Sequence, residues 1–155
     1  MQIRQPTTRA KELMKQGFIK GYVESIIKEK PPSLIVFDLL DHVEGYNQFL
    51  GKEGNTTERY SALYQWARTI AAEHCPVIAV SQLSGEGNNE PFPSMAWLAG
   101  SRVAKQSAAT VMLMLGSREG NSTDRFLSAP KNKISSNKGW RASIKFDPQR
   151  SRFSD

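Results

Sequence analysis

The chain has 155 residues, 39% hydrophobic and 23% charged, with a formal net charge of +6, the size and balance of one soluble globular domain, which excludes a disordered chain. No apolar run approaches the roughly 18 residues of a membrane-spanning helix, so no membrane partner is expected. The single cysteine, Cys75, excludes an intramolecular disulfide and a cysteine-based metal cluster.

Charge is unevenly spread. Residues 1–30 carry seven basic and three acidic side chains, net +4; residues 31–117 are net −3; residues 118–155 hold nine basic and four acidic, net +5. Basic ends of this kind can attract nucleic acid through counterion release, and they serve equally as plain solubilising charge, so charge alone decides little. The first 30 residues contain no apolar stretch followed by small residues, so no secretory leader is read there and a cytoplasmic location is expected.

In chain order, MQIRQP reads as a short strand stopped by Pro6, and Thr7 or Thr8 as the cap of a helix running towards Lys30. Leu13, Ile19, Val23, Ile26 and Ile27 recur at helical spacing, and Pro31 and Pro32 end the pattern. LIVFDLL at 34–40 predicts a central strand covered on both faces, as in a parallel sheet. A polar loop at 44–55 precedes a helix opening at Thr56 or Thr57, with Tyr60, Leu63, Tyr64, Ala67, Ile70 and Ala71 on one face. PVIAVSQL at 76–83 predicts a second buried strand, parallel to the first because a helix of nearly 20 residues joins them. Residues 84–93 read as a loop, 94–107 as a short helical stretch, and TVMLMLG at 110–116 as a third buried strand. From there the pattern shortens: FLSAPKNK, WRASIKFD and RSRF predict antiparallel edge strands, with SSNKG as a turn.

Asp38 follows four apolar residues at the carboxyl end of the first strand, where open α/β sheets bind ligands. That arrangement suits a carboxylate holding magnesium beside nucleotide phosphates; it equally suits an aspartate capping the next turn. Gln82 ends the second strand and is expected beside Asp38, where an amide can sense a γ-phosphate, with Ser81 as an equal candidate for hydrogen bonding. His42 and His74 stand too far apart, without further ligand spacing, to make a metal site.

The ordered set LIVFDLLDHV, PVIAVSQL, WLAGSRVAKQSAATVMLML, KNK and RASIKFDPQRSRFSD resembles the C-terminal RecA-like motor domain of DnaB-type and phage primase-helicase ring helicases. The resemblance implies a partial RecA-like P-loop NTPase fold, a single truncated motor domain over 1–155, with a mainly parallel sheet flanked by helices and antiparallel C-terminal strands. It implies that Asp38 binds magnesium, that Gln82 is the phosphate sensor, and that Lys131 and Lys133 reach ATP on an adjacent subunit of a ring. Lys133 stands where the family has an arginine finger, and a lysine offers a point charge without the guanidinium fork. Loops at 42–55 and 84–94 correspond to those that contact single-stranded DNA, which nominates Lys52, Asn88 and Asn89; Arg102 and Lys105 in GSRVAK add basic candidates.

No GxxxxGK[ST] occurs: GKEGNTT at 51–57 has the right residue types in the wrong order, and GSREGNSTD at 116–124 lacks the lysine next to a Ser or Thr. Without those amides and that lysine the β- and γ-phosphates lose their cradle, so this chain alone is expected to bind ATP poorly and hydrolyse it negligibly. Two readings follow. One is the C-terminal portion of a phage replicative helicase; the other is a non-catalytic adaptor or inhibitor that docks on a helicase ring.

Overall fold

The computed structural model describes residues 19–43, 55–135 and 139–154. They fall into two compact units, the described residues within Met1–Ser81 and Val103–Ala108, and those within Gln82–Arg102 and Ala109–Asp155. The expected MQIRQP strand lies outside the described residues.

In the first unit, α1 (Ile19–Glu29) places Ile27 in the core, with Ile19 and Val23 packed against it, one helical turn apart on the same face. Pro31 and Pro32 stop it, as the sequence predicts. β1 (Ile35–Phe37) is followed by a cis Asp38–Leu39 peptide and a 3-10 turn at Leu40–His42. α2 (Thr56–Glu73) opens at Thr56, as the sequence predicts, and is capped by Asn55: the Asn55 side chain accepts from the Glu58 N–H at 3.0 Å, and Glu58 accepts from the Asn55 N–H at 3.0 Å. This reciprocal capping box satisfies two donors that a helix start leaves open. Leu63, Tyr64, Trp66, Ala67 and Ile70 of α2 are buried, and the Trp66 ring tilts against Phe37 at 5.6 Å.

β2 (Val77–Ala79) pairs with β1 in parallel, Ile35 opposite Val77 and Phe37 opposite Ala79. The strand, helix, strand order and its parallel pairing are therefore as expected. The strands are shorter than their apolar runs, and the expectation of cover on both faces is corrected. Ile35, Phe37 and Val77 join the core, while the alternate residues Val36 and Ile78, directly opposite each other, are 49% and 51% exposed. Strand alternation puts these two on the face away from the helices. The unit is completed by α3 (Arg102–Ala108) from Val103 onward, with Ala108 in the core and its carbonyl accepting from the Arg68 guanidinium at 2.8 Å.

In the second unit, a loop with 3-10 turns at Gly85–Gly87 and Met95–Trp97 leads to a four-stranded sheet in the order β3 (Val111–Arg118), β4 (Asn121–Asn132), β5 (Trp140–Asp147), β6 (Arg152–Ser154). Every pairing in it is antiparallel. The mainly parallel sheet expected from sequence is thereby corrected: among the described residues only β1 and β2 run parallel. TVMLMLG forms a hairpin with β4 across Glu119 and Gly120, where Gly120 takes a φ of +74° that a two-residue turn requires. Nor is this strand buried throughout, since Met114 is enclosed but Leu113 and Leu115 are 64% and 44% exposed.

Gly116 is the contact point between this sheet and the loop before it. A Cβ there would stand 2.3 Å from the Glu90 carbonyl oxygen and 2.2 Å from that of Pro91, so only glycine admits the loop this close. The close approach seats Phe92 edge-on against Phe126 at 5.5 Å.

Candidate functional site

Asp38 leaves the carboxyl end of β1 as an exposed side chain in the turn. The backbone around it is pinned on both sides: Val80 N–H donates to Phe37 O at 2.9 Å, and Leu40 N–H donates to Val80 O at 3.1 Å. The residue beside Asp38 in register is thus Val80. Among the described residues no three His, Cys, Asp or Glu side chains cluster as a metal site. Asp38 fits a single protein ligand for magnesium, an ion that keeps several waters and takes its remaining oxygens from phosphates.

Four polar side chains of the first unit, Asp41, Tyr64, Ser81 and Lys105, meet just beyond Asp38. Asp41, in the 3-10 turn after β1, accepts at Oδ2 from Lys105 Nζ of α3 at 2.7 Å and from Ser81 Oγ at 2.6 Å, and at Oδ1 from the Tyr64 hydroxyl of α2 at 2.8 Å. Lys105 Nζ also donates to Ser81 Oγ at 2.5 Å and lies 5.7 and 5.6 Å from the ring centroids of Tyr60 and Tyr64. Burial alone would raise the Asp41 pKa, but the hydrogen bonds from Lys105, Ser81 and Tyr64 and the lysine charge outweigh it and hold the carboxyl below its ordinary value. Tyr64 is shifted strongly upward, first by burial and then by its bond to the Asp41 carboxylate.

Lys105 is 2% exposed. The expectation that it contacts DNA is therefore corrected: an ammonium enclosed by a carboxylate, a hydroxyl and two rings has no face left for a phosphate. Its position in a basic GSRVAK segment pointed outward, and the signal that it turns inward is the alternation of small Ala104 and Ala108 around it, both buried. Sequence reasoning named Ser81 only as an alternative to Gln82 and passed over Asp41 and Tyr64.

Gln82 opens the second unit and is exposed. Its carbonyl accepts from Ala99 N–H at 3.1 Å, Leu83 bridges Leu98, and Ser84 N–H donates to Trp97 O at 2.7 Å, so the strand exit is fastened to the segment before α3. Asn88 and Asn89 are exposed in the turn after Gly85–Gly87, with Asn89 at a φ of +67°. Arg102 is exposed at the first residue of α3, and Lys52 lies outside the described residues. Lys131 and Lys133 at the end of β4 both line a cavity of about 490 Å³ together with Pro130, Asn132 and Ser135. Asn132 Oδ1 accepts from the N–H groups of Ile134 and Ser135 at 2.9 and 3.1 Å, which holds the turn after β4.

No family model and no curated protein matches the chain. Among solved structures, an ATPase domain superimposes with a TM-score of 0.70 at 17% identity, covering 89% of this chain and 50% of that one. A DnaB-like replicative helicase, solved in a study of its interactions with primase, superimposes with a TM-score of 0.68 at 18% identity, covering 88% of this chain and 34% of that one. The chain thus spans half or less of the length of the proteins it is similar to. It shares the fold of DnaB-type helicase ATPase-like domains. No described helix is long and apolar enough to cross a membrane.

Proposed function

We propose that this chain is the C-terminal portion of an ATP-dependent replicative DNA helicase motor of the ring type, of phage origin. The observation that carries the reading is an exposed Asp38 at the carboxyl end of a parallel strand, in a fold shared with an ATPase domain and a DnaB-like helicase. In the assembled motor Asp38 holds magnesium, which neutralises charge on the phosphates. Gln82 reads the γ-phosphate, and Lys131 with Lys133 presents a basic cleft to ATP on the neighbouring subunit. Asn88, Asn89, Arg102 and Lys52 offer contacts to single-stranded DNA. The sequence lacks a phosphate-cradling GxxxxGK[ST], so these roles need a second polypeptide or segment that supplies it.

The test is reconstitution. The chain is combined with the front half of a DnaB-type ATPase domain, carrying the phosphate loop, and magnesium-dependent ATP turnover is measured. Turnover that appears only in the mixture and is lost with Asp38→Asn supports the reading. Turnover by the 155-residue chain alone, or indifference to Asp38→Asn, overturns it.

The exposed Val36 and Ile78 pair also favours a second reading, an adaptor or inhibitor that docks on a helicase ring, because a parallel sheet ordinarily has both faces covered. Co-sedimentation with an intact ring and a lowered ATPase rate of that ring distinguish it from the first.

A further inference from the structure

The second unit carries a strip of stacked cations whose two arginines are used by neither the nucleotide reading nor the expected DNA contacts, although its Phe92 lies within the expected DNA loop at 84–94. Arg141 of β5 lies over the Phe92 ring at 4.5 Å, Phe92 meets Phe126 of β4 edge-on at 5.5 Å, and Arg118 at the end of β3 lies over Phe126 at 5.3 Å. The order Arg141, Phe92, Phe126, Arg118 is continuous. Phe126 and Ser128 face the same side of β4, and Ser128 stands opposite Arg141 in register, so the sheet fixes where Arg141 starts; Arg118 is paired with Asn121 at the end of the β3–β4 hairpin. The close approach at Gly116 fixes the ring between them.

Both arginines are exposed, and no carboxylate among the described residues comes within 4.0 Å of either guanidinium. The aspartates on this side of the sheet are already taken: Asp124 pairs with Lys145, and Asp147 pairs with Arg150 at 3.8 Å. A guanidinium over an aromatic ring keeps its in-plane N–H donors for other partners while losing much of its rotamer freedom. Two such forks, held in place before any ligand arrives, suit phosphate oxygens, which arginine meets with paired hydrogen bonds. The segment that holds them, residues 118–155, has nine basic and four acidic side chains, a charge surplus that suits a ligand of repeated negative charge better than a single anion.

From this geometry we infer that Arg118 and Arg141 form a binding site for the phosphodiester backbone of a polynucleotide on the Phe92 and Phe126 face of the antiparallel sheet. The inference does not depend on the roles assigned to Asp38, Gln82, Lys131 or Lys133.

The test uses the full chain and a fluorescein-labelled 25-mer of thymidylate, with anisotropy titrations at several salt concentrations between 50 and 200 mM, on the order of the range where counterion release is read. The double variant R118Q/R141Q is expected to weaken binding at least about fivefold and to reduce the slope of log affinity against log salt by about 1.4, since each single-strand phosphate contact contributes roughly 0.7. K28Q, an exposed lysine on α1, should leave the slope within about 0.2 of wild type and separates site loss from a general loss of charge. Circular dichroism melts confirm that each variant is folded; should R141Q fail to fold, R118K and R141K keep the charge while removing the stacked fork, and are expected to weaken binding by about threefold. Wild-type affinity and slope in the double variant, or no binding by the wild-type chain at the lowest salt, overturns the proposal. Displacement of the oligonucleotide by inorganic triphosphate at equal phosphate concentration also overturns it, because the site would then take any phosphate chain.

Discussion

Lys105 Nζ sits 2.7 Å from Asp41 Oδ2, with the lysine side chain 2% and the aspartate 10% exposed. The pair joins three elements in one unit, since α3 brings the lysine, the turn after β1 the carboxylate, and the exit of β2 the Ser81 hydroxyl between them.

Removing one partner of such a pair leaves the other charge enclosed, which costs more than the pair itself contributes. Lys105→Met is expected to destabilise the first unit by about 3–5 kcal/mol, read as a lower urea midpoint. Adding Asp41→Asn to that variant should restore part of the loss. A single-variant loss below about 1 kcal/mol would contradict an enclosed pair.

Acid sensitivity follows from the same carboxyl. Its folded pKa lies below the ordinary value of 3.8, so its contribution to stability is fully present above 3.8 and fades as pH falls below it. Denaturation midpoints measured from pH 6 down to about pH 2 should drop at the acid end in the wild-type chain and less steeply in Asp41→Asn. Tyr64 behaves in the opposite sense: its folded pKa is raised above 10.0, so its contribution is present below that pH and is lost only as pH rises through the folded value.

Gly116→Ala places a methyl group against backbone oxygens of Glu90 and Pro91 that no side-chain rotation can move aside. A loss of about 1–3 kcal/mol is expected, together with a change in near-ultraviolet circular dichroism as Phe92 lifts from Phe126. An unchanged aromatic signal would show that the loop is not held there.

Ser128 is 5% exposed and its Oγ has no hydrogen-bond partner among the described residues. A buried hydroxyl without a partner retains its desolvation cost. Ser128→Ala should therefore be neutral or stabilising by up to about 1 kcal/mol in thermal melts, whereas a clear loss would reveal a partner.

At the start of α2, Asn55→Ala removes one half of the capping box. A loss of about 1 kcal/mol is expected, and Asn55→Asp should keep most of the stability because its carboxylate accepts the same N–H and favours the helix N-terminus.

Much of the first unit is legible in the sequence. The two prolines at 31 and 32 end α1, the apolar spacing of α2 lays out its buried face, and a long helix between two apolar runs forces a parallel pair. The C-terminal hairpins are legible too, since alternation and turn residues are local signals. The motif order leads from LIVFDLLDHV and PVIAVSQL to the helicase-like fold, and Asp38 emerges at the strand end where that order places it.

Other features were decided only when distant residues met. Three apolar runs look alike in one dimension, yet β1 and β2 pair in parallel while β3 folds back on β4, because pairing depends on which neighbour offers a free edge. Burial is likewise not a property of a run: Val36, Ile78 and Leu113 are as apolar as their neighbours but alternate onto uncovered faces. A lysine in a basic segment turned inward because Asp41, 64 residues away in sequence, supplied the only kind of partner that makes its burial tolerable. The stacked arginines are equally invisible before folding, since Phe92, Arg118, Phe126 and Arg141 come from a loop and three strands. Sequence sets which side chains are available and which backbone shapes are permitted; the long-range packing sets which charges are enclosed and which are held out to a ligand.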